Sequence, residues 1–121
     1  MNNQKSKIAV FGANGAIGHA FIKYYSNSMV YGMSRKKPDV NIKGIKSIII
    51  EKYDDENLSR IADKFKNDSL DKIIISIGML HNDSLDPEKR IDDLTTDQFN
   101  EIMHSNAVIP SLIVKHFHKK M

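Results

Sequence analysis

Three glycines at a spacing of three, Gly12, Gly15 and Gly18, stand between a short apolar run and a helical apolar stripe. Glycine permits a tight turn and lets backbone N–H groups come close to a bound pyrophosphate. A helix that begins inside such a turn adds unpaired N–H groups and a partial positive charge at the same point. The stretch Gly12-Ala13-Asn14-Gly15-Ala16-Ile17-Gly18 therefore reads as a cradle for the phosphates of a dinucleotide. The competing reading is a glycine turn that joins a strand to a helix and binds nothing. A Walker loop is excluded, because Ala13 stands five residues before Gly18 and His19 occupies the lysine position.

A second group of residues follows the next apolar run. Ser34-Arg35-Lys36-Lys37 is a hydroxyl followed by three cations, with no acid before Asp39. In a dinucleotide fold this is the place of the adenosine ribose, where an acid accepts from the 2′-OH of NAD. Cations suit the 2′-phosphate of NADP instead, and arginine offers phosphate a planar fork. The expected cofactor is NADP, with NAD less favoured. A third candidate is Asn106, the polar member of an otherwise apolar helical stripe, with Pro110 four residues on. Proline has no N–H, so a kink and an exposed Asn106 carbonyl on a buried face are expected.

Composition limits what these groups belong to. The chain has 121 residues, 40% hydrophobic and 27% charged, the ordinary make-up of one globular domain. It contains no cysteine, which removes disulfides and thiolate metal sites. The five histidines, His19, His81, His104, His116 and His118, match no metal-ligand spacing and are expected on exposed helix faces or loops. The first six residues are polar and no apolar run reaches membrane-spanning length, so a cytoplasmic location is expected, with no membrane partner. The net charge of +3 comes from interspersed charges, and the basic tail 115–120 suits a helix C-terminus, so nucleic acid is not an expected partner.

The elements that must position these groups are legible from periodicity. Residues 7–11 read as a strand buried on both faces. Residues 16 to about 27 read as a helix with Ile17, Ala20, Phe21 and Tyr24 on its core face. Strands are expected at 29–33, 45–50 and 71–77. A helix with the stripe Leu58, Ile61, Ala62 and Phe65 follows the third strand. Residues 38–44 and 79–94 read as connections. A helix is expected from Thr95 to about residue 120, opened by a capping box of Thr95 and Gln98. Its stripe is Phe99, Ile102, Met103, Asn106, Ile109, Ile113 and Phe117. The β-α-β order implies a right-handed crossover and a parallel sheet.

These motifs, in this order, resemble the first half of a short-chain dehydrogenase/reductase, nearest the small members related to the C-factor signalling protein. The glycine loop is similar to that family's cofactor loop and Ser34-Arg35 to its NADP-selecting pair. Ser76-Ile77-Gly78 stands where the family has N-A-G. The run 78–83 and Pro87-Glu88-Lys89 resemble the subgroup's next loop. The resemblance implies an α/β, Rossmann-type doubly wound parallel sheet of order 3-2-1-4 over residues 1–121. It implies that Gly12 to Gly18, Ser34, Arg35 and Ser76 to Gly78 contact the cofactor. Either Glu51 or Asp54 would lie on the adenine side. Asn106 would hold a water in a proton relay. The family's Tyr-x-x-x-Lys is absent: Tyr24, Tyr25, Tyr31 and Tyr53 are followed four residues on by Ser28, Met29, Arg35 and Asn57. This chain is thus expected to supply the cofactor cradle and, alone, to be inactive, and a small carbonyl or alcohol substrate enters only with the catalytic half. The alternative is a non-catalytic NADP(H) sensor or signalling protein of C-factor type. An uncovered fourth strand and the apolar last helix imply a homo-oligomer.

Overall fold

The computed structural model describes residues 5–37, 44–78 and 91–121. The connections expected at 38–44 and 79–94, with His81 and Pro87-Glu88-Lys89, lie largely or wholly outside them. Four strands form one parallel sheet: β1 (Lys7–Phe11), β2 (Met29–Ser34), β3 (Ile45–Ile49) and β4 (Lys72–Ile75). Their order is β3-β2-β1-β4. Val10 lies between Gly32 of β2 and Ile74 of β4, which places the central strand in register with both neighbours. Successive β1 side chains point to opposite faces, and both faces are covered. Ile8 and Val10 pack with Val30 and Ile22 on one side, whereas Ala9 and Phe11 join the larger core on the other. A continuous apolar run is what a strand buried on both faces requires.

Helix α1 (Ala16–Tyr24) covers the first face and ends before the expected residue 27, with residues 25–27 in a turn. Its expected core stripe is not the one it buries. Gly18 and Ile22 are buried, while Ile17 is 66% and Tyr24 79% exposed. A helical wheel gives the angle between residues, not the direction of the core. Gly18 supplies no hydrophobic signal, yet the helix must approach the sheet on that side.

Helix α2 (Asp55–Ala62) buries its expected stripe. Leu58, Ile61, Ala62 and Phe65 all enter the larger core. Each large aliphatic side chain so placed contributes about 1.5–3 kcal/mol. Asp54 caps this helix by accepting from the Asn57 N–H at 2.8 Å. The last helical region is broken. Helix α3 (Thr96–Met103) opens with the expected Thr95–Gln98 capping box. A π-turn (His104–Val108) then leads into α4 (Ile109–Phe117), whose Ile109, Ile113 and Phe117 are buried. In place of a simple kink, the Ile109 N–H donates to the His104 carbonyl five residues back, and Ser111 Oγ donates to the Ala107 carbonyl at 2.7 Å. The helix has widened where proline interrupts the ladder. Phe99, Met103 and Asn106 are exposed, so the expected single stripe does not hold across the turn.

Phe117 packs edge-on against Phe11 with ring centroids 5.0 Å apart, fixing α4 over β1. Lys115 and His116 reach Asp55 at 2.8 and 2.7 Å, tying α4 to the start of α2. His116 is therefore a half-buried ion-pair partner, not the exposed histidine expected.

Candidate dinucleotide-binding cleft

The cleft opens beyond the carboxyl ends of the strands, beside the point where the chain order reverses between β1 and β4. Ligands of open parallel sheets bind at such a switch point. Its volume is about 550 Å³. The glycine loop contributes Gly12, Asn14 and Gly15, the end of β2 contributes Ser34, Arg35 and Lys36, and the end of β4 contributes Ser76, Ile77 and Gly78.

The three glycines do different work. Gly12 has φ +88°, and its N–H and that of Ala13 both donate to the Met33 carbonyl at 3.0 Å, which pins the loop to β2. Gly18 lies under the loop, where a Cβ would fall 2.0 Å from the Gly12 carbonyl oxygen. Gly15 differs. A Cβ there would meet only the Gly12 carbonyl oxygen, at an ordinary 3.5 Å. Packing among the described residues thus explains glycine at 12 and 18 and not at 15. Gly15 is the N-cap of α1 and makes no side-chain cap bond, so Ala16 and Ile17 present first-turn N–H groups beside the cleft.

The carbonyl of Lys36 accepts from Asn14 Nδ2 at 3.0 Å and from Ser34 Oγ at 2.7 Å. These two bonds hold the basic segment against the glycine loop and leave Arg35 and Lys36 exposed at the cleft. Ser76 Oγ donates to the Phe11 carbonyl at 3.0 Å and so joins the end of β4 to the base of the loop.

The remaining sequence candidates are placed as follows. Ala13 is buried beneath the loop, and Ala16 and Ile17 are exposed on α1. Glu51 is exposed and Asp54 is engaged as a helix cap, and neither lines the cleft. Asn106 stands at its margin, with Oδ1 3.1 Å from where a Gly78 Cβ would be, while its neighbours Ser105 and Ile109 line it.

Sequence reasoning named Lys36 in the basic run without carrying it into the site, and it missed Tyr53, Glu101, Ser105 and Ile109 as lining residues. Lys36 and Ser105 adjoin chosen residues and were within reach of it. Tyr53 carried the signal of an aromatic directly behind a strand's carboxyl end. Burial pushes the Tyr53 phenol up to about 12, and the positive charge of Arg35 opposes this in part. Among the described residues no group of three His, Cys, Asp or Glu could hold a metal ion. No helix there is long and apolar enough to cross a membrane.

No family model and no curated protein matches the sequence. Solved structures do match the fold. A short-chain dehydrogenase/reductase from Burkholderia multivorans with bound NADP superposes with a TM-score of 0.79 at 19% identity over 94% of this chain and 53% of its own. The ligand-free aldohexose dehydrogenase of Thermoplasma acidophilum gives 0.79 at 16% identity over 98% of this chain and 45% of its own. A short-chain dehydrogenase from Leptospira borgpetersenii with bound NAD+ gives 0.71 at 18% identity over 93% and 44%. The chain thus has the Rossmann-type fold of the N-terminal part of short-chain dehydrogenases and spans about half the length of these solved chains.

Proposed function

We propose that this chain is the cofactor-binding part of an oxidoreductase of the short-chain dehydrogenase/reductase type, taking NADP(H) in preference to NAD(H). The observation that carries the reading is Gly15. It is a glycine that packing among the described residues does not require, at a helix N-terminus without a side-chain cap beside the cleft. A pyrophosphate close to the backbone accounts for it.

In this reading the loop 12–18 holds the pyrophosphate, with the first-turn N–H groups of α1 as donors. Ser34 and Arg35, with Lys36 beside them, hold the 2′-phosphate. Ser76, Ile77 and Gly78 bound the nicotinamide side, and Asn106 orders a water at the cleft margin. Glu51 and Asp54 lie outside the cleft lining, so neither is given an adenine contact in this reading. The nicotinamide supplies the hydride when bound. No Tyr-x-x-x-Lys occurs in the 121 residues, so the acid for a carbonyl or alcohol substrate is not among them. The exposed apolar flank of α1 supports association with a second copy.

Calorimetric titration of the chain with NADPH, with NADH as the control, tests the reading. Tight NADPH and weak NADH binding is expected. A folded chain that binds neither refutes it.

A further inference from the structure

Tyr53 lies in the connection between β3 and α2, next to the N-cap Asp54, and β3 pairs with β2, whose end carries Ser34 with Arg35 just beyond. Its ring belongs to the larger core and the residue is only 6% exposed. It nevertheless lines the cleft. Its hydroxyl has no hydrogen-bond partner among the described residues, and it is not sealed from the cleft in the way that Ser69 Oγ is sealed from solvent. A protonated phenol that lines the cleft without a partner among the described residues is a donor available to an acceptor bound there. The nearby guanidinium of Arg35 makes this end of the cleft suited to an anion.

We propose that the Tyr53 hydroxyl donates to the adenosine 2′-phosphate alongside Arg35, and that Tyr53 is a specificity-determining residue for a phosphorylated ribose. The proposal rests on the cofactor reading above and extends it to a residue in the connection between β3 and α2. The division of labour is physical. Arg35 is exposed and supplies charge, which salt screens. Tyr53 is held by core packing and supplies a fixed, uncharged donor that NAD(H), with a 2′-OH, engages far less strongly than an anion does.

Tyr53→Phe removes one oxygen and keeps the ring in the core. Because that oxygen has no partner among the described residues, the variant should fold and melt within a few degrees of the parent. Adenosine 2′,5′-bisphosphate and 5′-AMP are the probes, since they differ by the phosphate in question. The expected result is a loss of about tenfold for the bisphosphate, the size of one hydrogen bond to a charged acceptor, with 5′-AMP unchanged. Equal losses for both probes would place the hydroxyl on the adenine or ribose and overturn the proposal. So would unchanged binding of both. If the parent chain, folded, binds neither NADPH nor NADH, the cofactor reading fails and takes this proposal with it. If the parent prefers the bisphosphate and Tyr53→Phe does not reduce that preference, only the role of Tyr53 fails.

Discussion

Gly18 lies so close beneath Gly12 that a Cβ on Gly18 would stand 2.0 Å from the Gly12 carbonyl oxygen and 2.8 Å from Ser76 Oγ. The first obstacle is backbone, which cannot swing away as a side chain can. Gly18→Ala should therefore cost about 3 kcal/mol, the upper end for overpacking. Thermal melting checks this, and a melting temperature unchanged from the parent would show that the loop yields.

Gly15→Ala should separate folding from binding. The new Cβ meets nothing closer than 3.5 Å, and an alanine N-cap in place of glycine costs under about 1 kcal/mol. The variant should melt near the parent but bind NADPH at least about tenfold more weakly, equivalent to about 1.4 kcal/mol. Undiminished binding would remove the observation on which the cofactor reading rests.

Arg35→Ala should lower NADPH affinity by about 1.5–3 kcal/mol, the range for a hydrogen bond to a charged group. That is roughly 10- to 150-fold. NADH binding should barely change, and an equal loss for both cofactors would argue against a 2′-phosphate at this position. Asn14 and Ser34 brace the segment through the Lys36 carbonyl. Asn14→Ala should therefore weaken NADPH in the same direction and by less.

How much of this was legible depended on whether the information was local. The strands, the glycine loop, the α2 stripe and the Thr95–Gln98 box are local patterns, and the structure contains them all. The buried side of α1 was not legible, because two stripes at helical spacing coexist and the one that packs contains a glycine. The last helix misled for another reason. A π-turn inserts about one extra residue, which rotates everything after it by about 100° relative to an unbroken α-helix. Phe99 and Met103 therefore do not share the buried face of Ile113 and Phe117. In the sequence Tyr53 enters only through the absent Lys four residues on, and it is the fold that brings it to the same cleft as Arg35.

Two ionisations should mark the pH limits of stability. Hydrogen bonds from Lys115 and then His116 hold the Asp55 carboxyl below its usual 3.8. A group depressed in the folded state stabilises it above the unfolded value, and that contribution is lost as pH falls through the folded value. Asp55→Asn should lower the melting temperature only slightly near neutrality, since the pair is solvent-exposed, and the difference should shrink as pH falls below 3.8. Tyr53 works at the other limit. Its phenol is raised from 10.0 to about 12 by burial, so its contribution is intact below 10 and is lost as pH rises through 12. Tyr53→Phe should hold its melting temperature further into alkali than the parent, and identical alkaline profiles would contradict this.

The exposed side of α1 yields the last prediction. Tyr25 on α1's C-terminal turn touches β4, because Lys72 Nζ lies 3.2 Å from its hydroxyl and 5.0 Å from its ring centroid. At about 100° per residue, the sequence Ile22, Gly18, Tyr25, Phe21, Ile17, Tyr24 steps round the helix from its buried side, past β4, to solvent. The apolar flank thus leads from β4 to solvent, and β4 pairs on one side only in the described sheet. An open strand edge and an exposed apolar flank favour association. The isolated chain should self-associate with rising concentration in sedimentation, and Tyr24→Glu should oppose this without loss of folding, since Tyr24 is 79% exposed. A parent chain that stays monomeric at all concentrations, or a Tyr24→Glu chain that associates equally well, would show that this flank does not mediate the contact.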